Sequence, residues 1–320
     1  MTDAVPADAP RVVALAGGVG GAKLAHGLAA HVGDRLTVVV NTGDDTERHG
    51  LLVMPDHDTV MYTLAGIANR QWGWGIEGET YNADEFLAKY GQETWFRLGD
   101  RDFATHIARS ARLRAGHALT GAVTALQAAR ALQSAILPMT DAPVRTQVRT
   151  DDGWLDFQEY FVHLHQAPEV RDVRFAGIEA ARPTAQVAAA FAMASAVIVG
   201  PSNPIVSIGP ILAVPGMLDL VQAAHRRNVP VVAVSGIVGG KALKGPADRM
   251  LRSLGFEASA LAVARQYAAW IDGFVLDEVD HELEPAIRAL GIRTLVTDTI
   301  MADHAGRERL ARTVLEFATS

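Results

Sequence analysis

The chain has 320 residues, of which 49% are hydrophobic, and it carries a formal net charge of −7. This length and hydrophobic share fit a globular α/β protein and exclude a mostly disordered chain, and the negative charge argues against a general nucleic-acid surface. The chain has no cysteine, which excludes disulfides, a thiol nucleophile and a zinc–thiolate site. These features are compatible with the cytoplasm, where we expect the protein to act.

Residues 1–10 are predicted to be a disordered tail. They contain Asp3 and Asp8 and lack the apolar run of a signal peptide. Residues 11–320 are predicted to form one α/β domain. No apolar stretch in the sequence is long enough for a membrane span, so we expect no membrane partner.

Residues 12–24 indicate a short apolar strand, a glycine-rich turn and the start of a helix. The turn contains Gly17, Gly18, Gly20 and Gly21, whose missing Cβ atoms let the backbone approach a ligand closely. The helix that follows points free N–H groups and its positive dipole end at the turn. Together with Lys23, the turn is therefore predicted to bind a phosphate. The alternative is a tight turn that binds nothing.

Neither of the two named glycine motifs is complete in this turn. A P-loop needs Ser or Thr directly after its Gly-Lys pair, but Lys23 lies between Ala22 and Leu24. The dinucleotide fingerprint needs a third small residue where Lys23 stands, and the second strand ends at Asn41 rather than at an acid for a ribose. The turn therefore indicates a phosphate or nucleotide and disfavours NAD.

Four carboxylates follow the second predicted strand, Leu36–Val40, in two polar loops: Asp44, Asp45, Asp56 and Asp58. Open α/β sheets place ligands at the carboxyl ends of their strands. Carboxylates without a partner repel a phosphate, whereas Mg²⁺ takes one or two carboxylates together with phosphate oxygens. The group therefore predicts a magnesium site, although each Asp alone is as well explained as a turn former or helix cap.

Three helix caps are predicted from the same kind of pattern. Asp58 is expected to cap a helix that begins at Thr59, Asp100 a helix near residues 102–114, and Thr120 a helix over residues 120–132.

Residues 70–165 are predicted to be a smaller, mostly helical insertion that carries a hairpin. The hairpin is indicated by an Asp-Asp-Gly turn at residues 151–153 between two alternating runs. Aromatic side chains concentrate in this region, either as the insertion's core or as a wall for a flat ring. Arg97 could bind a phosphate or carboxylate through two parallel hydrogen bonds, although a lone Arg is more often a surface residue.

From residue 183 onwards, strands alternate with helices, which predicts a Rossmann-like parallel sheet flanked by helices. Two rigid loops follow strands in this half. The loop 200–212 carries Gly200, Ser202, Asn203 and Ser207, and we predict that it binds the ligand, with a purely structural turn as the alternative. The loop 235–246 is a second glycine-rich turn.

Five segments, residues 16–23, 41–46, 55–60, 200–204 and 207–212, together resemble the 2-phospho-L-lactate transferase family, most closely its actinobacterial branch. The resemblance covers nearly the whole chain after the tail. It implies transfer of a phosphorylated three-carbon acid from a guanylylated donor to the deazaflavin Fo, 7,8-didemethyl-8-hydroxy-5-deazariboflavin, with release of GMP. The product is F-420-0 for lactate and dehydro-F-420-0 for enolpyruvate. The resemblance to the actinobacterial branch favours enolpyruvate over lactate as the transferred acid.

The resemblance also implies roles for individual residues, a need for Mg²⁺ and a homodimer. Asp56 and Arg97 match the family positions that contact Fo. The glycine turn would hold the donor's diphosphate, and the segment 200–204 would hold its guanosine, with residues 235–240 as a second candidate segment for the guanosine. Asp45 and Asp58 are our choices for binding the metal or activating the ribityl hydroxyl of Fo.

Two other functions remain as alternatives. Proteins of the same superfamily resemble this chain in the glycine turn but regulate carbon metabolism and bind nucleotide sugars without turnover. The segments 56–58 and 96–100 favour the transferase over such a regulator. A nicotinamide dehydrogenase is disfavoured by the incomplete fingerprint.

Overall fold

The computed structural model describes residues 9–320, which contain fourteen strands. In chain order the strands are β1 (Val12–Ala16), β2 (Leu36–Val40), β3 (Thr46–Arg48), β4 (Leu51–Val53), β5 (Ala135–Pro138), β6 (Arg145–Thr150), β7 (Gly153–Asp156), β8 (Asp172–Ala176), β9 (Ala196–Val199), β10 (Val231–Val234), β11 (Ile237–Val238), β12 (Lys241–Ala242), β13 (Gly273–Asp277) and β14 (Arg293–Thr297).

Seven of these strands form one parallel sheet, in the spatial order β14-β13-β10-β9-β1-β2-β5. From β1 the chain builds outwards through β2 to β5, then returns to place β9 on the other side of β1. The strand order therefore reverses between β1 and β9, and in open α/β sheets ligands bind in the crevice at such a reversal. The predicted Rossmann-like parallel sheet is confirmed.

Helices cover both faces of this sheet. They are α1 (Gly18–Val32), α2 (Pro55–Leu64), α3 (Asn82–Lys89), α4 (Asp100–Arg114), α5 (Leu119–Ala129), α6 (Ala185–Met193), α7 (Gly209–Ala213), α8 (Met217–Arg226), α9 (Ala247–Ser253), α10 (Ala260–Tyr267), α11 (Glu284–Arg288) and α12 (His304–Thr319).

Alternate residues of β1 enter two separate hydrophobic cores. Val13 and Leu15 pack in the core with α6, α8 and α10, whereas Val12 and Ala14 pack in the core with α1, α2 and α12. Because parallel strands are buried on both faces, their sequences are continuously apolar. Within residues 9–320 no single helix is long and apolar enough to cross a membrane, and one sharply bent pair, Pro204–Ala213 with Met217–Arg226, passes on length and composition.

The range 70–165 contains both additions to the sheet and a strand of the sheet itself. β5 lies in this range and pairs in parallel with β2, so helices α3 to α5 precede a sheet strand and the hairpin follows it. The hairpin of β6 and β7 is confirmed, and β8 pairs with the other edge of β6. Of the predicted tail, residues 1–8 lie outside the described residues.

The three predicted caps are wrong, for reasons that involve distant partners. Helix α2 begins at Pro55, whose fixed φ suits a first helical position, so Asp58 lies inside its first turn. The carboxylate of Asp100 accepts N–H groups at the start of α3, so it serves a different helix from its own. Helix α5 begins at Leu119, and the hydroxyl of Thr120 donates to Asp141.

Candidate functional site

A cavity of about 580 Å³ opens at the carboxyl ends of β1 and β9, where the strand order reverses. Its wall combines the glycine turn, the loop after β9 and aromatic side chains from the region before α4, and Gly73 of that region packs against Val19 of the glycine turn. Its walls include Gly17, Gly18, Gly20, Asp44, Asp56, Asp58, Trp72, Trp74, Trp95, Arg97, Asp102, His106, Phe157, Phe161, Ser202, Asn203, Ser207 and Lys244.

The glycine turn and the loop after β9 are fastened to each other. Gly17 N–H donates to Ser202 Oγ across 3.1 Å, and the Ser202 hydroxyl donates back to Gly17 O across 2.8 Å. A Cβ on Gly20 would lie 2.3 Å from Pro201 O, and a Cβ on Gly21 would lie 2.6 Å from Ser202 Oγ. These two glycines are therefore required for the close packing of the two loops, independently of any ligand.

Asp56 lies at the N-terminus of α1, in the position that favours an anion. Its Oδ1 accepts Gly18 N–H across 2.6 Å and its Oδ2 accepts Asn41 Nδ2–H across 2.9 Å. Burial raises the pKa of Asp56 to about 6, and these two hydrogen bonds oppose that rise. The side chain lines the cavity and changes charge close to neutral pH.

Asp58 has a different environment, although it is only two residues further along. Arg109 donates to both of its oxygens, across 2.6 and 2.9 Å, and the guanidinium is fully buried. Burial alone would raise the pKa of Asp58, but the charge of Arg109 and hydrogen bonds from His57 and Arg109 hold it well below its usual range. Asp58 therefore stays ionised as half of a buried ion pair.

Asp44 and Asp45 each have a buried oxygen, Oδ1, that has no hydrogen-bond partner among residues 9–320. Burial raises the pKa of both groups well above the usual value. A divalent cation would offset this burial of negative charge. The described residues contain no group of three or more metal-binding side chains, so these carboxylates fit Mg²⁺ only together with oxygens of a bound phosphate.

The aromatic end of the cavity consists of partly exposed rings. Trp72 and Trp74 are 52% and 51% exposed, so they form a wall and not the core of an insertion. Trp95 packs against the Arg48 guanidinium, 3.9 Å from its ring centroid, and stacks on His163 at 4.8 Å between centroids. These contacts fix the ring of Trp95 at the cavity edge.

Arg97 lines the same end of the cavity. Its guanidinium lies 4.0 Å from the Tyr81 ring centroid and 3.9 Å from Asp84, with 62% of its side chain exposed. The guanidinium can therefore reach a ligand without breaking a buried ion pair.

Several residues expected at the site lie outside the cavity wall. Lys23 donates through Nζ to Met301 O across 2.9 Å, and its side chain is partly buried. Gly21 and Gly200 pack against each other, since a Cβ on Gly200 would lie 3.2 Å from Gly21 Cα. Asp45 lies behind the lining residues. The ligand-binding roles of these four residues stay predictions.

Some lining residues have no counterpart in our sequence predictions. Asp102 and His106 project from α4 into the cavity, and Phe157 and Phe161 follow the hairpin. Each pair is spaced by four residues, which is the signal for one face of a helical turn. A spacing of four residues does not show that either pair lies in the same cavity as the glycine turn.

Comparisons with known proteins agree on one family. The family model described as 2-phospho-L-lactate transferase CofD matches residues 12–314. A phosphoenolpyruvate transferase from Kitasatospora aureofaciens is 44% identical over 316 residues, covering 96% of this chain and 98% of that protein. A 2-phospho-L-lactate transferase from Methanosarcina acetivorans is 40% identical over 305 residues, covering 95% and 98%.

A solved structure shows the same fold in a more distant protein. A member of the UPF0052 family from Bacillus halodurans aligns with a TM-score of 0.62 over 97% of this chain and 100% of that one. The two sequences are only 12% identical, so the likeness concerns the fold alone.

Proposed function

This chain belongs to the 2-phospho-L-lactate transferase CofD family, and on that premise we propose that it transfers a phosphoenolpyruvyl group to the deazaflavin Fo. It is a transferase of the 2-phospho-L-lactate/phosphoenolpyruvate type. The donor is guanylylated phosphoenolpyruvate, the second product is GMP, and the acceptor product is dehydro-F-420-0. A 2-phospho-L-lactyl group, which would give F-420-0, is the alternative for the transferred acid.

One observation supports this proposal above the others: the glycine turn and a set of aromatic side chains line a single cavity. A flat ring would pack against Trp72 and Trp74, while its ribityl chain extends towards the glycine turn. Arg97 would contact the acceptor at the aromatic end. The guanylylated donor would lie with its diphosphate at the N-terminus of α1 and its nucleoside against the loop after β9, around Ser202 and Asn203.

The reaction is a displacement at phosphorus. The terminal ribityl hydroxyl of Fo attacks the phosphorus that carries the enolpyruvyl group, and one O–P bond forms. The P–O bond to the bridging oxygen breaks, and GMP leaves with that oxygen and the electron pair. Such a transfer depends mainly on alignment and on neutralising charge.

Asp56 is the residue best placed to accept the proton of the attacking hydroxyl. It lines the cavity beside the glycine turn, and its pKa of about 6 suits a base that works near neutral pH. Asp45, which together with Asp58 was our choice from the sequence for the metal or the hydroxyl, would hold Mg²⁺ together with Asp44. The bound metal would supply positive charge that offsets the negative charge of the donor's phosphates. Asp58 has both oxygens bound by Arg109, which favours a structural role.

A transfer assay tests the proposal. The purified protein, Mg²⁺ and Fo are incubated with guanylylated phosphoenolpyruvate or guanylylated phospholactate in separate reactions, and the products are identified by mass spectrometry. We expect the acid to appear on Fo with release of an equal amount of GMP, faster with enolpyruvate. If neither donor gives a product and Fo does not bind, the transferase proposal fails. A nucleotide-binding regulator without turnover would then be the better interpretation.

A further inference from the structure

Three polar side chains lie together at the aromatic end of the cavity, and the displacement above does not use them. Tyr62, Asp102 and His106 all line the cavity. The Tyr62 hydroxyl donates to Asp102 Oδ1 across 2.6 Å, and His106 Nε2 lies 3.6 Å from the same oxygen. Asp102 also lines a smaller recess together with Trp72 and Trp74. The group therefore belongs to the end of the cavity where a flat ring would pack.

The position of the hydrogen on the His106 ring follows from its neighbour. His106 Nδ1 lies 2.8 Å from Arg109 Nη2. A guanidinium can only donate, so Nδ1 must accept. The single hydrogen of the neutral ring is then on Nε2. Arg109 is itself fixed by Asp58, so the donor at Nε2 is held in place by a buried ion pair.

This N–H group has no acceptor among the residues that the structure describes. His106 Nε2 is buried and has no hydrogen-bond partner among residues 9–320, and only 1% of the side chain is exposed. A buried donor without a partner costs free energy relative to a satisfied one. The 3.6 Å separation from Asp102 is too long for a hydrogen bond. A ligand that offers an acceptor at this point would recover that free energy.

Asp102 provides a hydrogen-bond acceptor next to the His106 donor. In the described part of the chain, Tyr62 supplies the one hydrogen bond that its carboxylate accepts, which leaves Oδ2 open. The side chain is 15% exposed and lines the cavity. A donor at His106 thus stands next to an acceptor at Asp102. The matching ligand group is a ring edge on which a carbonyl stands next to an N–H.

We propose that His106 and Asp102 are specificity-determining residues that bind the pyrimidinedione edge of the deazaflavin. His106 Nε2–H donates to a ring carbonyl, and Asp102 Oδ2 accepts the adjacent imide N–H. Tyr62 and Arg109 are positioning residues, because they orient the two groups and do not contact the ring. This inference rests on the proposed function, since it specifies how the proposed acceptor is recognised.

The first test uses a modified ligand and the unmodified protein. Binding of Fo, and of Fo methylated at the imide nitrogen, is measured by isothermal titration calorimetry. Both titrations are run at about pH 8.5, above the pKa of about 7 of Asp102, so that its carboxylate is charged. Loss of a hydrogen bond to a charged acceptor should weaken binding of the methylated ring roughly 10- to 150-fold. Equal affinities for the two ligands would overturn the proposal.

The second test uses Asp102→Asn with Asp272→Asn as the matched control. Asp272 accepts Val231 N–H at the amino-terminal end of β10, whereas the cavity lies at the carboxyl ends of the strands. Asp102→Asn is expected to weaken Fo binding about tenfold or more, to lose most of the discrimination against the methylated ring, and to bind GMP as the wild type does. Asp272→Asn should leave the Fo affinity unchanged.

The two failures are distinguishable. If the wild-type protein binds Fo and carries out transfer, but Asp102→Asn discriminates against the methylated ring as strongly as the wild type, this inference fails alone. If the wild-type protein does not bind Fo, the proposed function fails and takes this inference with it.

Discussion

Two carboxylates in one helical turn have opposite electrostatic states. Asp56 is held by neutral donors, Gly18 N–H and Asn41, so burial dominates and its pKa rises to about 6. Asp58 is bound by the guanidinium of Arg109, so its pKa falls in spite of burial. We therefore expect Asp56 to gain and lose a proton near neutral pH, and Asp58 to stay negatively charged.

Asp45→Asn is expected to lower turnover far more than it lowers Fo affinity. The amide keeps the size of the carboxylate but removes the charge that would hold Mg²⁺ beside Asp45 Oδ1. We expect kcat to fall at least about 100-fold, because metal charge stabilisation is worth several kcal/mol. Steady-state kinetics over a range of Mg²⁺ concentrations, with calorimetry for Fo, measures both quantities. Asp34→Asn, at an exposed turn, is the control, and an unchanged kcat would remove Asp45 from the mechanism.

Arg109→Met is expected to destabilise the protein by about 3–5 kcal/mol, because it leaves the charge of Asp58 buried without its cationic partner and with only the hydrogen bond to His57. Urea unfolding followed by circular dichroism measures the loss. The matched control is Arg171→Met, which breaks an exposed pair with Asp151 and should cost at most about 1 kcal/mol. Equal losses of unfolding free energy in the two variants would show that the buried pair stabilises the protein no more than the exposed pair does.

Asp102 links stability to pH. Burial, and then the charge of Asp58, raise the pKa of Asp102 to about 7, well above the usual range of an Asp carboxyl. Because the folded pKa is above the unfolded one, its contribution to stability is fully present below about pH 4 and is lost as pH rises through 7. The stability of the wild type relative to Asp102→Asn should therefore fall between pH 5 and pH 8. Urea unfolding at both values measures it, and a constant difference would contradict the assigned pKa.

At the scale of elements, the contact between the start of α1 and the loop after β9 decides the shape of the phosphate end. A Cβ on Gly20 would lie 2.3 Å from the backbone oxygen of Pro201. Since both partners are backbone segments, neither can rotate away. The turn is glycine-rich because of this approach and because Gly18 has a φ of 61°.

Gly20→Ala is therefore expected to separate the two loops, weaken GMP binding and cost about 1–3 kcal/mol of stability through overpacking. Calorimetry with GMP and urea unfolding measure the two effects. Gly121→Ala is the matched control: Gly121 lies inside α5, and an added Cβ would have no atom within 4 Å. The control should be neutral or stabilising by up to about 1 kcal/mol. Unchanged GMP affinity in Gly20→Ala would contradict the role given to the contact.

Helix α4 places three functional side chains on one face. Asp102, His106 and Arg109 are spaced by four and three residues, so they follow one another along the helix. Arg109 reaches α2 through Asp58, and the other two reach the cavity. The same helix therefore fixes the buried ion pair and carries the two side chains that we propose bind the ring.

At the scale of the whole molecule, the cavity is assembled from segments that are far apart in the chain. Residues 17–20, 72–75, 157–162 and 201–207 all contribute to its wall. The seven-stranded sheet holds these segments together at one edge, because parallel strands all present their carboxyl ends there. The homodimer expected from the family resemblance stays a prediction, which analytical ultracentrifugation can measure against the 34.1 kDa chain mass.

Hydrogen exchange can test how the cavity is divided between its ligands. Fo is expected to slow exchange in residues 72–75 and 157–162, because it packs against those walls. GMP is expected to slow exchange in residues 17–20 and 201–207 instead. The hairpin turn at residues 151–153 is the internal control and should not change. Identical protection patterns for the two ligands would contradict the proposal that Fo and the nucleotide occupy different parts of the cavity.

The order of the elements, and the end of the strands at which the candidate site lies, could be predicted from the sequence alone. Continuous apolar runs such as Leu36–Val40 and Ala196–Val199 define buried parallel strands, and Gly, Asp and Ser at their ends identify the ligand-binding loops. These signals are local, so they can be read without any partner. The glycine turn and the acidic loops could therefore be recognised from short stretches of the sequence alone.

Which side chains contact each other depends on the tertiary structure. Asp58 was predicted to be a cap and is instead the partner of Arg109, 51 residues further along. Lys23 was expected at a phosphate and contacts Met301, 278 residues away. Charge state, burial and hydrogen-bond partner all depend on such distant contacts, and residue type and spacing contain no information about them. The roles of individual residues therefore follow from the packing of the helices on the sheet.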